Sequence, residues 1–213
     1  MKKRRNANRV LSLLLVMALL ITGMPVSVHA TGDMETPVVE AGEILSGTGQ
    51  ETEISETEIP TVIEAGTTYT LTEDIVFEQG QNFESIAGTL DGNGHTITLA
   101  DKPLANDVTG TIQNLGVTSE NVIASDKTFG SMAVTLSGTI QNCYSTAKLK
   151  LSGLDDVGGL VGIFQSGAIK NSYFGGSIEA MMAGGLIGIR QTDDSILSNS
   201  YYAKDKIPGA YGP

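Results

Sequence analysis

Few residues in this chain have types and spacing that could do chemistry. Asp91-Gly92-Asn93-Gly94-His95 sets alternating side-chain oxygens before an imidazole. A calcium loop needs such oxygens to continue and to close on a glutamate. Here His95 takes the next ligand place and no closing acid follows. The five residues therefore read as a tight turn, in which Asp-Gly and Asn-Gly pairs are favoured. Paired acids stand at Asp155-Asp156 and Asp193-Asp194. Polysaccharide hydrolysis or elimination needs clustered carboxylates with a Lys, an Arg or a bound cation on one face. Both pairs lie between repeated motifs, on expected loops, where a solvated acid needs no further role. Cys143 is the single cysteine, and His95 the single histidine beyond residue 30. There is no HExxH zinc motif. This reading assigns no catalytic, cofactor-binding or metal-binding residue.

The elements that would position a site begin after a leader. Lys2, Lys3, Arg4, Arg5 and Arg9 precede an apolar run from Val10 to Ile21, and Val28-His29-Ala30 offers small residues for cleavage. That is the pattern of a secretory signal peptide over residues 1–30. The run is short for a membrane span, which needs about 20 residues. The whole chain carries 13 basic and 24 acidic residues, a formal charge of −11. Five of those bases lie in the leader, so 8 face 24 acids after cleavage and the charge becomes −16. So few cations exclude nucleic acid as a partner and disfavour an anionic membrane surface. A secreted chain with one cysteine has no internal disulfide; its stability must come from packing, with Cys143 as a small buried hydrophobe.

Residues 31–58 hold eight acids and no base, among Thr, Gly and Ser. Such a composition predicts a disordered acidic linker. From residue 59 the texture changes. "TTYTLTEDIVF", residues 67–77, alternates apolar side chains in the manner of a strand.

Self-similarity is the main signal. "GTIQNLGV", "GTIQNCYS", "GAIKNSYF" and "SILSNSYY" align on Asn114, Asn142, Asn171 and Asn199, at spacings of 28, 29 and 28. In phase with them run "GSMAV" at 130–134, "GGLVG" at 158–162 and "GGLIG" at 184–188. A unit of about three short strands cannot bury its own core. Stacked copies can pair every backbone group with the copy above and below. The expected fold is all-β, a right-handed parallel β-helix over residues 59–203 with repeats of about 28 residues. Ile112, Ile140, Ile169 and Leu197 should form one internal column. The four asparagines should form a ladder in left-handed backbone, and Tyr144, Tyr173 and Tyr201 should fall in register beside it. On such a helix Cys143 and His95 lie on different rungs, against a nucleophile–base pair. Residues 204–213, rich in Pro and Gly, are expected to be a tail across the last rung or the start of a continuation.

"GGLVG…GAIKNSYFGGSI…GGLIG", preceded by "FESIAGTLDGNGHTITL", resembles the GLUG repeat of secreted bacterial surface proteins, over roughly residues 60–203. In that family the repeats occur in large adhesin-like proteins and in the N-terminal region of some immunoglobulin A-cleaving metallopeptidases. The resemblance implies a β-helical surface module, adhesive or a scaffold. The chain departs from the pattern at "ADKPLANDVT", residues 100–109, where no GLFG-like strand is visible.

The expected function is a non-catalytic secreted or cell-surface repeat module that binds an extracellular protein or glycan, without cofactor. End-to-end self-association through an exposed terminal rung is a further expectation. The alternatives are a polysaccharide-active β-helix enzyme and an N-terminal piece of a larger surface peptidase.

Overall fold

The computed structural model describes residues 50–54, 59–152 and 156–207. The leader at 1–30, the acidic stretch to residue 49, residues 55–58, Asp155 and the tail from residue 208 lie outside the described residues.

The chain winds as a parallel β-solenoid of about five turns, with a repeat averaging about 26 residues. Three long sheets form its sides. The first contains Val62–Ile63, Phe83–Ile86, Ala105–Val108, Ala133–Leu136, Val161–Phe164 and Ile187–Arg190. The second contains Gln50–Ile54, Thr67–Leu71, Thr89–Asp91, Thr111–Gln113, Thr139–Gln141, Ala168–Lys170 and Ile196–Ser198. The third runs from Ile75–Val76 through Thr96–Leu99, Gly116–Ser119, Tyr144–Ser145 and Tyr173–Phe174 to Tyr201–Tyr202. The one helical element among the described residues is a 3₁₀ turn at Lys204–Lys206.

Register on the second sheet sets Tyr69, Leu90, Ile112, Ile140, Ile169 and Leu197 opposite one another. Their spacings are 21, 22, 28, 29 and 28. The expected period of 28 thus holds for the last three turns, and the first two are shorter for a structural reason. From Val122 onward each turn gains a strand of a fourth sheet, formed by Val122–Ser125, Lys148–Leu151 and Ser177–Glu179. It also gains a short fifth pairing, Phe129–Gly130 with Val157–Gly158. A full turn therefore has more than the three strands that the sequence suggested.

Ile112, Ile140 and Ile169 are fully buried, as their alignment predicts, while Leu197 is only partly buried because its turn is the last described. A second column, Leu104, Met132, Leu160 and Leu186, lines the corner before the first sheet, and the amides of the first three donate to a carbonyl one turn on. Leu104 and Ala105 come from "ADKPLANDVT", so that stretch supplies the strand its sequence did not reveal. The acidic stretch is likewise corrected at its end. Gln50–Ile54 is not linker but a strand paired in register with Thr67–Leu71, with Ile54 in the core.

The glycine phrase that returns at 158 and 184 is explained by contact. A Cβ on Gly159 would lie 2.4 Å from Phe174 Cγ, and one on Gly185 would lie 2.3 Å from Tyr202 Cγ. These glycines leave the space in which the aromatic ring of the third sheet packs on the corner backbone.

Candidate functional site

Asp91 ends two side-chain ladders. Asn199 donates its amide to Asn171 Oδ1 (3.2 Å), Asn171 to Asn142 (3.2 Å), Asn142 to Asn114 (3.3 Å), and Asn114 to Asp91 Oδ1 (3.1 Å). All four asparagines have positive φ, between 48° and 54°, the conformation their short polar side chains tolerate. Beside them Gln141 donates to Gln113 (2.9 Å), which donates to Asp91 Oδ2 (2.7 Å). The Asn93 backbone N–H adds a further bond to Asp91 Oδ1, at 2.8 Å. Burial pushes the Asp91 carboxyl up, but these three donors outweigh it and hold it below the usual carboxylate range.

The rest of the DGNGH motif is the expected turn. The His95 N–H closes onto Gly92 O at 2.7 Å, and the two central residues, Asn93 and Gly94, both have positive φ. His95 Nδ1 lies 3.5 Å from Asp74 Oδ1, an oxygen that also accepts the Thr96 N–H. That Thr96 bond, with the imidazole beside it, lowers the Asp74 carboxyl.

Cys143 does not meet His95. Its thiol is buried over the carbonyls of Gln141 and Ile112, and burial pushes it up to about 12. A thiol held that high is a weak nucleophile at neutral pH. Asp193 and Asp194 are exposed on a loop that Arg190 braces through the carbonyls of Thr192 and Asp193. Asp156 is half-buried, and its carbonyl accepts the Phe129 N–H. Among the described residues no three His, Cys, Asp or Glu side chains converge as a ligand set, and no helix is long and apolar enough to cross a membrane.

The surface that gathers the most recognition chemistry lies on the third sheet. Tyr144, Tyr173 and Tyr201 stand in register, as expected. Tyr144 and Tyr173 stack, with ring centroids 5.4 Å apart and planes within 11°. Tyr144 is set by Gly116 one turn back, where a Cβ would lie 2.5 Å from Tyr144 Cζ. Beyond Tyr173 an open apolar depression of about 430 Å³ is bounded by Tyr173, Phe174, Tyr201 and Tyr202.

Around the corner lies a polar groove of about 410 Å³. Its walls are Thr118, Ser119, Thr146, Lys148, Ser177 and Lys206, and its floor is Gly175-Gly176. The Thr146 hydroxyl donates to Thr118 Oγ1 at 3.0 Å. Lys148 Nζ donates to Glu120 O at 3.3 Å, and Lys206 Nζ to Gly175 O at 3.1 Å. The repeat alignment points to the tyrosines and not to this groove. Thr118 and Thr146 share the repeat spacing of 28, so aligning outward-facing positions as well as core positions would have found them. Lys206 carried no such signal, because a 3₁₀ turn brings it there.

Fold and surface together define a β-solenoid repeat module. No family description matches the chain, and no solved structure matches it. Over 148 residues it is 32% identical to Halomucin of Haloquadratum walsbyi, an alignment that takes in 51% of this chain and 2% of that protein. The chain thus spans a very small part of the length of the relative it matches.

Proposed function

We propose that this chain is a non-catalytic binding module of the GLUG-repeat type, working outside the cell or at its surface, with residues 1–30 as the export signal. The observation that carries the reading is the register of Tyr144, Tyr173 and Tyr201 at the solvent edge of one sheet. Successive turns repeat the same outward side chain, which suits contact with an extended ligand along the solenoid. The module-sized similarity to a much longer protein fits a repeat unit that occurs within larger architectures.

The test has two arms. The full chain, produced with and without residues 1–30 in a secreting bacterium, should reach the medium or the cell surface only with them. The exported protein should be retained by immobilised extracellular proteins or glycans. Replacing Tyr173 and Tyr201 by alanine should reduce that retention without loss of β-structure by circular dichroism. Turnover of a polysaccharide, or retention that ignores both tyrosines, would contradict the proposal.

A further inference from the structure

The apolar depression and the polar groove meet at Gly175, which belongs to both. The two Tyr144–Tyr173 faces that stack are occupied by each other. The opposite face of Tyr173 turns toward the next turn, where Tyr201 lies 69% exposed. That leaves one aromatic face open to the depression. A Cβ at Gly175 would touch nothing closer than 3.4 Å, so its lack of a side chain keeps the passage open without filling a packing need.

Charge is distributed unevenly along the chain. Residues 31–107 hold 16 acids and one base, Lys102; residues 108–213 hold eight acids and seven bases. Two of those seven, Lys148 and Lys206, line the single groove. Each gives one N–H to a backbone carbonyl and keeps donors free for a ligand. Among the described residues neither lysine forms an ion pair; the pairs there are Lys150–Glu179 and His95–Asp74.

A ligand for this surface needs an apolar face for Tyr173, hydroxyls for Thr118, Thr146 and Ser177, and an anionic group for the two ammonium ions. A pyranose has the first two, since its axial C–H bonds stack on an aromatic ring and its hydroxyls bond at the edge. A uronic acid supplies the third. A groove of this volume falls within the range of small-ligand sites. We propose that the surface joining Tyr173, Gly175, Lys148 and Lys206 binds an acidic saccharide, with its carboxylate between the lysines and a sugar face on Tyr173. The inference rests on the binding-module reading and specifies its ligand class.

Titration calorimetry of the full chain with trigalacturonate, and with its neutral methyl ester, tests it. Trigalacturonate should bind, and the ester should bind about a hundredfold more weakly, since the charge-assisted hydrogen bonds to both lysines are lost. Lys148→Ala and Lys206→Ala should each weaken trigalacturonate about tenfold while leaving the ester unchanged, and Lys148→Arg should restore most of the loss. Tyr173→Ala should weaken both ligands alike. Both lysines are exposed, so these variants test binding and not folding. Equal affinity for acid and ester, or indifference to both lysines, would overturn the inference. Binding to a neutral glycan or a protein but not to trigalacturonate would overturn it too, and would leave the binding-module reading intact.

Discussion

The Asn114 side-chain amide donates to Asp91 Oδ1 at 3.1 Å, and that bond terminates a ladder which begins at Asn199 and crosses every turn between them. Each rung points its N–H toward the earlier turn. The series therefore ends best on an acceptor without donors, and a carboxylate is such a group. Asp91 takes three donors on two oxygens. Asp91→Asn leaves one oxygen and sets a new NH₂ against a donor. Thermal or urea unfolding should show a loss of about 1–2 kcal/mol.

The same carboxylate sets a pH dependence. Its folded pKa is depressed, so it stabilises the fold above its unfolded value of 3.8, and that contribution disappears as pH falls through the still lower folded value. Stability of the native chain measured from pH 6 down should fall below about pH 4. The Asp91→Asn variant should fall less steeply. An identical slope would remove Asp91 from this role.

Glycine positions that look alike in the sequence should respond very differently. Gly159→Ala places a Cβ 2.4 Å from both Phe174 Cγ and Gly185 O, whereas the nearest atom for Gly175→Ala is 3.4 Å away. The first should cost about 3 kcal/mol or prevent folding, and the second should change stability by less than about 0.5 kcal/mol. Urea midpoints of the two variants give the comparison.

Core depth should grade along the axis. Ile140 is fully buried with paired strands on both sides, while Leu197 is partly buried on the last described turn. Ile140→Ala should cost about 3–4 kcal/mol and Leu197→Ala about 1–2 kcal/mol. Equal costs would mean that the last turn is as well covered as the middle.

Exposed side chains on the last described turn also bear on self-association. Ile196 and Tyr201 are 51% and 69% exposed, yet Ile207 is 2% exposed within the core cluster, brought there by the turn at Lys204–Lys206. Removing residues 203–213 takes away that plug and should shift the chain toward larger species in size-exclusion chromatography, because open sheet edges pair with other strands. A deleted protein that stays monomeric and equally stable would show that Ile207 does not protect this end.

What could be read in the sequence followed from identity between turns. The 28-residue spacing fixed the internal Ile column, the left-handed asparagines and the tyrosine register, because stacked units need the same residue type at the same place. Features without a repeated signature were hidden. Gln50–Ile54 lies among glutamates, and its place is set by pairing with Thr67–Leu71 rather than by composition. Leu104 enters the corner column from a stretch with no glycine phrase, where Leu104, Ala105 and Val108 turn inward without a repeated motif to mark them. The lysine groove combines Lys148, which repeats with no other lysine, and Lys206, which follows the last repeat; only three-dimensional winding brings them together.

The place where a ligand meets this solenoid decides between these readings. Chemical-shift mapping of the nitrogen-labelled chain titrated with trigalacturonate tests that directly. Perturbations should be confined to residues 118–119, 146–148, 173–177 and 201–206. Perturbations centred elsewhere, or none at saturating saccharide, would contradict that placement.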